Sequence, residues 1–193
     1  MLDNLKRYHI ILASKSPRRK ELLAQLDLPF TIKVIEGIKE EYPQSLPLEE
    51  IAPYLSVLKA EAYRETLKPD ELLITADTVV LCDGRLLGKP TDKEDAKRIL
   101  KFLSGKPHTV VTGLTVCNSE RIETIAVNTT VVFGHLTDEE IEYYIEKYQP
   151  LDKAGAYGIQ EWIGGVAVER IDGSFYNVMG LPIHQLYRLL KSF

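Results

Sequence analysis

Thr109-Val-Val-Thr-Gly-Leu-Thr-Val-Cys117, then Asn118-Ser119-Glu120, then Arg121-Ile-Glu-Thr-Ile-Ala-Val-Asn-Thr-Thr-Val-Val-Phe133 is the stretch that decides the fold. β-branched residues dominate both arms and a short polar turn separates them, which predicts two long strands paired as a hairpin over 109–117 and 121–133. A hairpin pairs its strands antiparallel, so the sheet that contains it is not all-parallel. Upstream, Tyr8-His-Ile-Ile-Leu-Ala13 reads as a short buried strand running into Ser14-Lys15-Ser16-Pro17. A helix follows, with Leu22, Leu23 and Leu26 on one face, Ser16 as N-cap and Pro17 in its first position. A second strand is expected over 30–35, then an acidic loop, Glu36-Gly-Ile-Lys-Glu40-Glu41.

From about residue 47 to residue 67 the pattern is helical, with Ile51, Leu55, Leu58 and Ala62 on one stripe and Pro53 marking a kink or restart. Residues 72–82 form a β-rich run closed by Asp83-Gly84. Two capping boxes, Thr91-Asp-Lys-Glu94 and Thr137-Asp-Glu-Glu140, open helices that stop near Gly105 and Pro150. Residues 151–178 read as Gly-punctuated strand and loop, and 182–190 as a closing helix. No repeat or linker interrupts the chain. The expectation is α/β, a single domain over 1–193 with a mixed, partly antiparallel sheet flanked by helices.

Composition narrows the function. The chain has 193 residues, 45% hydrophobic and 27% charged, which excludes a disordered or low-complexity protein. No apolar run has membrane-spanning length, and Met1-Leu-Asp-Asn-Leu-Lys-Arg7 lacks a signal-peptide core. Two cysteines, Cys82 and Cys117, are too few for a disulfide scaffold and imply a cytoplasmic protein. A net charge of −4 argues against a protein that coats nucleic acid. An anionic small molecule stays open, provided the cations gather at one place or a metal assists.

Three features depart from a bland core. Ser14-Lys15-Ser16-Pro17-Arg18-Arg19 joins a buried strand to a helix start, where unpaired N–H groups and the dipole favour anions. The competing interpretation is an N-capped helix with solvated basic residues. Asp77 stands inside Leu72-Leu-Ile-Thr-Ala-Asp77-Thr-Val-Val-Leu81, where a carboxylate costs several kcal/mol unless a cation, a metal or hydrogen bonds meet it. It is a candidate base or metal ligand unless the chain turns outward at Ala76. Leu151-Asp-Lys-Ala-Gly-Ala-Tyr-Gly-Ile-Gln160 is rich in small residues, as where backbone passes close to a ligand, or is simply a Gly-rich loop. Gly84-Arg-Leu-Leu-Gly88-Lys89 fails as a P-loop, since the glycines are one residue too close and no Ser or Thr follows Lys89. His9, His108, His135 and His184 have no ligand spacing.

The chemistry-bearing residues together resemble a known family. Leu12-Ala-Ser14-Lys-Ser16-Pro-Arg18-Arg19-Lys-Glu-Leu-Leu23 is similar to the N-terminal signature of the Maf nucleoside triphosphate pyrophosphatases. Ala76-Asp77-Thr78-Val79-Val80, Gly88-Lys89-Pro90 and Asp152-Lys153-Ala154-Gly155-Ala156-Tyr157-Gly158-Ile159-Gln160 follow in the family's order. The likeness runs from Ile11 to the last helix, with Lys15 where the family often has Gly or another residue.

The resemblance implies an architecture shared with inosine triphosphatases and hydrolysis between the α and β phosphates of a nucleoside triphosphate. It implies Asp77 as proton acceptor, Ser16, Arg19, Lys59 and Lys89 on the phosphates, and Glu40 with Asp77 on a divalent Mg²⁺ or Mn²⁺. Arg18, Thr78 and Gln160 fall on its specificity positions. Asp77-Thr78 resembles the branch acting on dTTP and UTP, and modified pyrimidine triphosphates, rather than the 7-methyl-GTP branch with Asp-Gln. A Gln amide suits uracil or thymine, whose O4 and N3–H accept and donate in complement.

The implied partner is the nucleotide, with neither nucleic acid nor membrane; a homodimer is compatible with the sequence, which does not determine the oligomeric state. The family's link to arrest of septum formation supplies a rival, a nucleotide-binding regulator with little turnover. A purine-directed enzyme is a third reading, which Thr78 opposes.

Overall fold

The hairpin forms. In the computed structural model, which describes residues 2–193, β5 (Pro107–Cys117) and β6 (Ile122–Phe133) are sheet neighbours. The turn between them is held by Asn118 Oδ1, which accepts the N–H groups of Glu120 and Arg121 at 2.9 and 2.7 Å. Asn is suited to this because its short side chain bonds the backbone two and three residues on.

Around the hairpin the sheet order is β2-β1-β3-β5-β6-β7, with β4 on β3. β1 (His9–Leu12) pairs in parallel with β2 (Phe30–Ile32) and with β3 (Glu71–Cys82). β4 (Arg85–Leu87) on β3 and β7 (Val168–Asp172) on β6 are antiparallel. The protein is therefore an α/β domain on a mixed, seven-stranded sheet flanked by helices. Among the described residues no helix is long and apolar enough to cross a membrane.

The chain gathers into two compact units, each taking part of β3, β5 and β6. The first comprises the residues up to Asp77 with Thr112–Val127 and Gly180–Phe193. Its helices are α1 (Pro17–Ala24), α2 (Ile51–Arg64) and α7 (Ile183–Leu190). One apolar cluster gathers Ile11, Ala60, Tyr63, Leu67, Leu73 and Cys117, with Ile35 and Ile38 against it. α2 presses its first turn onto β5 at Gly113, where an added Cβ would lie 2.2 Å from the carbonyl oxygen of Ala52.

The second unit, Thr78–Val111 with Asn128–Met179, holds α3 (Lys93–Leu103), α4 (Asp138–Tyr148), α5 (Trp162–Ala167) and α6 (Phe175–Met179). Ile99, Leu100, Leu103, Phe133, Ile141 and Tyr144 form its centre. Lys93, Lys97 and Lys101 of α3 pair with Glu146, Glu142 and Asp138 of α4, so the exposed acidic face of α4 meets a basic row on α3.

Several expectations shift. β2 ends at Ile32 rather than 35. A single turn, Leu48–Glu50, precedes α2, so Pro53 lies in the first helical turn, where no intrahelical N–H bond is lost and no kink arises. The buried face of α2 is Ile51, Ala52, Leu55, Ser56, Ala60 and Tyr63, and Ala62 is exposed. α3 is capped by Asp92 rather than Thr91; Asp92 accepts the Asp95 N–H and Asp95 accepts the Thr91 N–H. The Thr137–Glu140 capping box forms as expected. Residues 151–178 contain α5, α6 and two single turns beside β7. Pieces of five or six residues complete too few turns for a 3.6-residue period to register.

Gly113→Ala is expected to lower unfolding free energy by about 2 kcal/mol or more, because the clash is with backbone rather than a movable side chain. Urea denaturation monitored by circular dichroism would show it as a lower midpoint at unchanged slope.

Candidate active site

Strand period and helix period meet in the first unit. Thr75 and Asp77 lie on the same face of β3, and Ser56, Lys59 and Tyr63 follow one another at helical spacing on α2. The Thr75 hydroxyl donates to the Ser56 carbonyl at 2.7 Å. Ser56 Oγ in turn donates to the Pro53 carbonyl at 2.8 Å and lies 2.7 Å from Thr115 Oγ1. With this register set, Lys59 Nζ reaches Asp77 Oδ1 at 2.5 Å and Glu40 Oε1 at 3.1 Å. The Lys59 and Asp77 side chains are each 14% exposed and Glu40 is 50%, so the first pair is sheltered from water and the second is at its rim. β3 continues through Asp77 without turning outward, and a cation meets the half-buried carboxylate, as the sequence requires.

Glu40 is delivered by a loop with its own anchor. Tyr63, one turn beyond Lys59, accepts the Ile35 N–H at 2.6 Å and donates to the Lys33 carbonyl at 3.0 Å. Burial raises the Tyr63 pKa, which keeps the hydroxyl protonated and able to donate.

The start of α1 completes the cluster. Ser16 is the N-cap, its Oγ accepting the Arg19 N–H at 3.4 Å, with Pro17 in the first position. Ser14, buried, accepts the Ser16 N–H at 3.1 Å, and Lys15 turns to Glu36 at 2.8 Å. Arg19 Nε donates to the Gly180 carbonyl at 2.8 Å. Burial draws the Arg19 pKa down; Asp77 opposes that, Arg18 adds to it and Glu40 opposes it. An arginine remains protonated nonetheless, so a cation stands at the first turn of α1. Ser16, Arg18, Arg19, Glu40, Lys59 and Asp77 are thus brought into one electrostatic neighbourhood.

Asp77 and Glu40 converge on a single cationic point, and among the described residues no group of three or more metal-ligating side chains exists.

Thr78, Lys89 and Gln160 belong to the second unit. Thr78 is half-buried in β3; Lys89, just past β4, and Gln160 are exposed. The Gly155 N–H donates to the Gly88 carbonyl at 3.0 Å, and its φ of +72° needs glycine.

Sequence reasoning gave no role of their own to Lys153, Tyr144 or Glu161, and named His108 only as lacking ligand spacing. Lys153 is buried and pairs with Asp152 at 2.8 Å and Glu161 at 3.2 Å. Tyr144 donates to Glu161 and accepts the Gly158 N–H at 3.0 Å. His108 Nε2 lies 2.8 Å from the Tyr157 hydroxyl, and its ring meets Phe133 and Tyr157 edge-on at 4.9 and 5.5 Å. The one local signal was two ionisable residues, Lys153 and Glu161, flanking a run of small and apolar ones.

A family model described as "Maf-like protein" matches residues 9–193. A dTTP/UTP pyrophosphatase of Porphyromonas gingivalis W83 is 58% identical, covering 100% of this chain and 98% of the relative. One of Phocaeicola vulgatus is 53% identical over 99% of each chain. A solved Ham1 protein of Staphylococcus aureus aligns at 14% identity and TM-score 0.45 over 67% of this chain and 72% of that one, a likeness too distant to bear on this chain.

The buried His108 makes stability pH-dependent. Burial pushes its pKa down to about 4, against 6.5 when exposed. Between those values the unfolded chain binds a proton that the folded chain refuses, so stability is full above pH 6.5 and falls toward pH 4, by about 3 kcal/mol. Denaturation midpoints for wild type and His108→Gln across that range should diverge, with the variant losing less; parallel profiles would remove His108 as the cause.

Proposed function

The chain belongs to the Maf-like family, and from that premise we infer that it is a nucleoside triphosphate pyrophosphatase, hydrolysing dTTP and UTP to the monophosphate and pyrophosphate. The observation that carries this reading is the Lys59 ammonium shared by Asp77 and Glu40 beside Arg19 and the capped start of α1. It supplies a sheltered carboxylate, cations and backbone N–H groups, which suit a polyphosphate and a water.

Asp77 takes the proton of the attacking water, whose oxygen bonds to a phosphorus of the α–β anhydride as the bridging bond breaks. The β and γ phosphates leave as pyrophosphate. Lys59 Nζ, 2.5 Å from Asp77 Oδ1, holds the carboxylate in place. Arg19 and Lys89 take up charge on the phosphate oxygens as the anhydride opens, and Ser16 holds the α1 N–H groups in place. Asp77 and Glu40 would hold a divalent Mg²⁺ or Mn²⁺, which supplies Lewis-acid polarisation of the phosphates when bound.

In this reading Arg18, Thr78 and Gln160 choose the base, the Gln160 amide answering O4 and N3–H. Modified pyrimidine triphosphates with that edge intact would be accepted too, which makes the enzyme a guard against their incorporation. Both cysteines are free and buried, as suits a reducing cytoplasm. An intact Asp77 in contact with its cation supports turnover over nucleotide sensing alone.

Pyrophosphate release from a triphosphate panel tests this. UTP and dTTP should exceed CTP and the purines, chelation should abolish turnover, and Mg²⁺ or Mn²⁺ should restore it. Asp77→Asn should lower kcat by roughly 10²–10⁴-fold; wild-type turnover in that variant would remove Asp77 as the base.

A further inference from the structure

Gln160 is the first exposed residue after a buried run from Gly155 to Ile159. The turn that presents it is tied at both ends. Glu161 N–H donates to the Gly158 carbonyl at 3.0 Å, closing the turn around Gln160. The Tyr144 hydroxyl, from a residue with no exposed surface, accepts the Gly158 N–H and donates to Glu161 Oε2. One hydroxyl thereby bridges the residues bounding the turn. Glu161 Oε1 is also met by Lys153 Nζ at 3.2 Å, and Lys153 is buried.

Close packing adds to these ties. A Cβ at Gly158 would lie 2.9 Å from the Glu161 carboxyl carbon, and one at Gly164 would lie 1.7 Å from the Ile159 carbonyl oxygen. Sheltering an ammonium and a carboxylate costs desolvation energy that an apolar pair avoids, so stability alone is a poor account of Lys153 and Glu161. What the arrangement secures is direction: the backbone on either side of Gln160 is immobilised while its amide stays free to meet a ligand.

We propose that Tyr144 and Glu161, braced by Lys153, are positioning residues that hold the Gln160 turn for recognition of the pyrimidine base edge. This rests on the reading that Gln160 contacts the base. An amide discriminates uracil from cytosine only when its donor and acceptor are held in register with O4 and N3–H, because cytosine presents the reverse pattern. A loosened turn lets the amide rotate and serve both.

The test measures kcat and KM for UTP and CTP in wild type, Tyr144→Phe, Glu161→Gln, Gln160→Ala and the Tyr144→Phe/Gln160→Ala double variant, with amide hydrogen exchange at Gly158. Tyr144→Phe should speed that exchange and raise KM for UTP roughly tenfold, with kcat within about twofold. It should cut the UTP-over-CTP preference in kcat/KM by a similar factor. The double variant should lose no more preference than Gln160→Ala. Glu161→Gln, which keeps a partner for the Tyr144 hydroxyl and loses only the charge toward Lys153, should lose less; it also stands in if Tyr144→Phe does not fold.

A faster Gly158 exchange with the preference intact overturns the positioning role, as does an equal fall in kcat for both substrates. If Gln160→Ala itself keeps the preference, the base-reading role of Gln160 fails instead, and the positioning role falls with it.

Discussion

The ammonium of Lys59, shared between Asp77 and Glu40, is the interaction on which the first unit depends. A carboxylate halfway along a sheet strand is tolerated only if a cation arrives at bonding distance, and a lysine stem cannot correct a helix in the wrong register. The neighbouring contacts set that register. Gly113 lets α2 lie against β5 without a side chain between them, and the Thr75–Ser56 bond aligns the helix with β3. Tyr63 then anchors the loop that brings Glu40 to the same ammonium. Each of these groups does something an apolar core residue cannot, which is why Ser56, Thr75 and Thr115 are buried among aliphatic neighbours.

The second unit uses buried polar groups differently. Tyr144, Glu161 and Lys153 hold a turn, and His108 and Tyr157 hold the segment before it. On its surface Lys93, Lys97 and Lys101 of α3 form a ladder of ion pairs with α4, and such exposed pairs contribute little individually. The net charge of −4 therefore says little about the site, where Arg18, Arg19 and Lys59 outnumber Asp77 and Glu40.

Much was legible from local pattern. The hairpin, the Ser16 cap with Pro17, the Thr137 box and the anomaly of Asp77 all depend on residues close together in the chain. The errors fall where pattern is short or ambiguous. α5 and α6 are too brief to repeat, and α3 is capped by Asp92, one residue past the Thr91 expected from the capping-box pattern. Ala62 sits one position off the face that α2 buries.

By itself the sequence determined the α/β class and the mixed sheet, which are written in residue type and spacing, and its ordered motifs carried the resemblance to the family. The tertiary structure alone decided that Glu40 and Asp77 meet at Lys59, and that Tyr144 and Lys153 converge on Glu161. Those partners sit on different elements, and single side-chain bonds between elements leave no periodicity to read. Only packing, through the close approach at Gly113 and the anchored loops, brings them within a few ångströms.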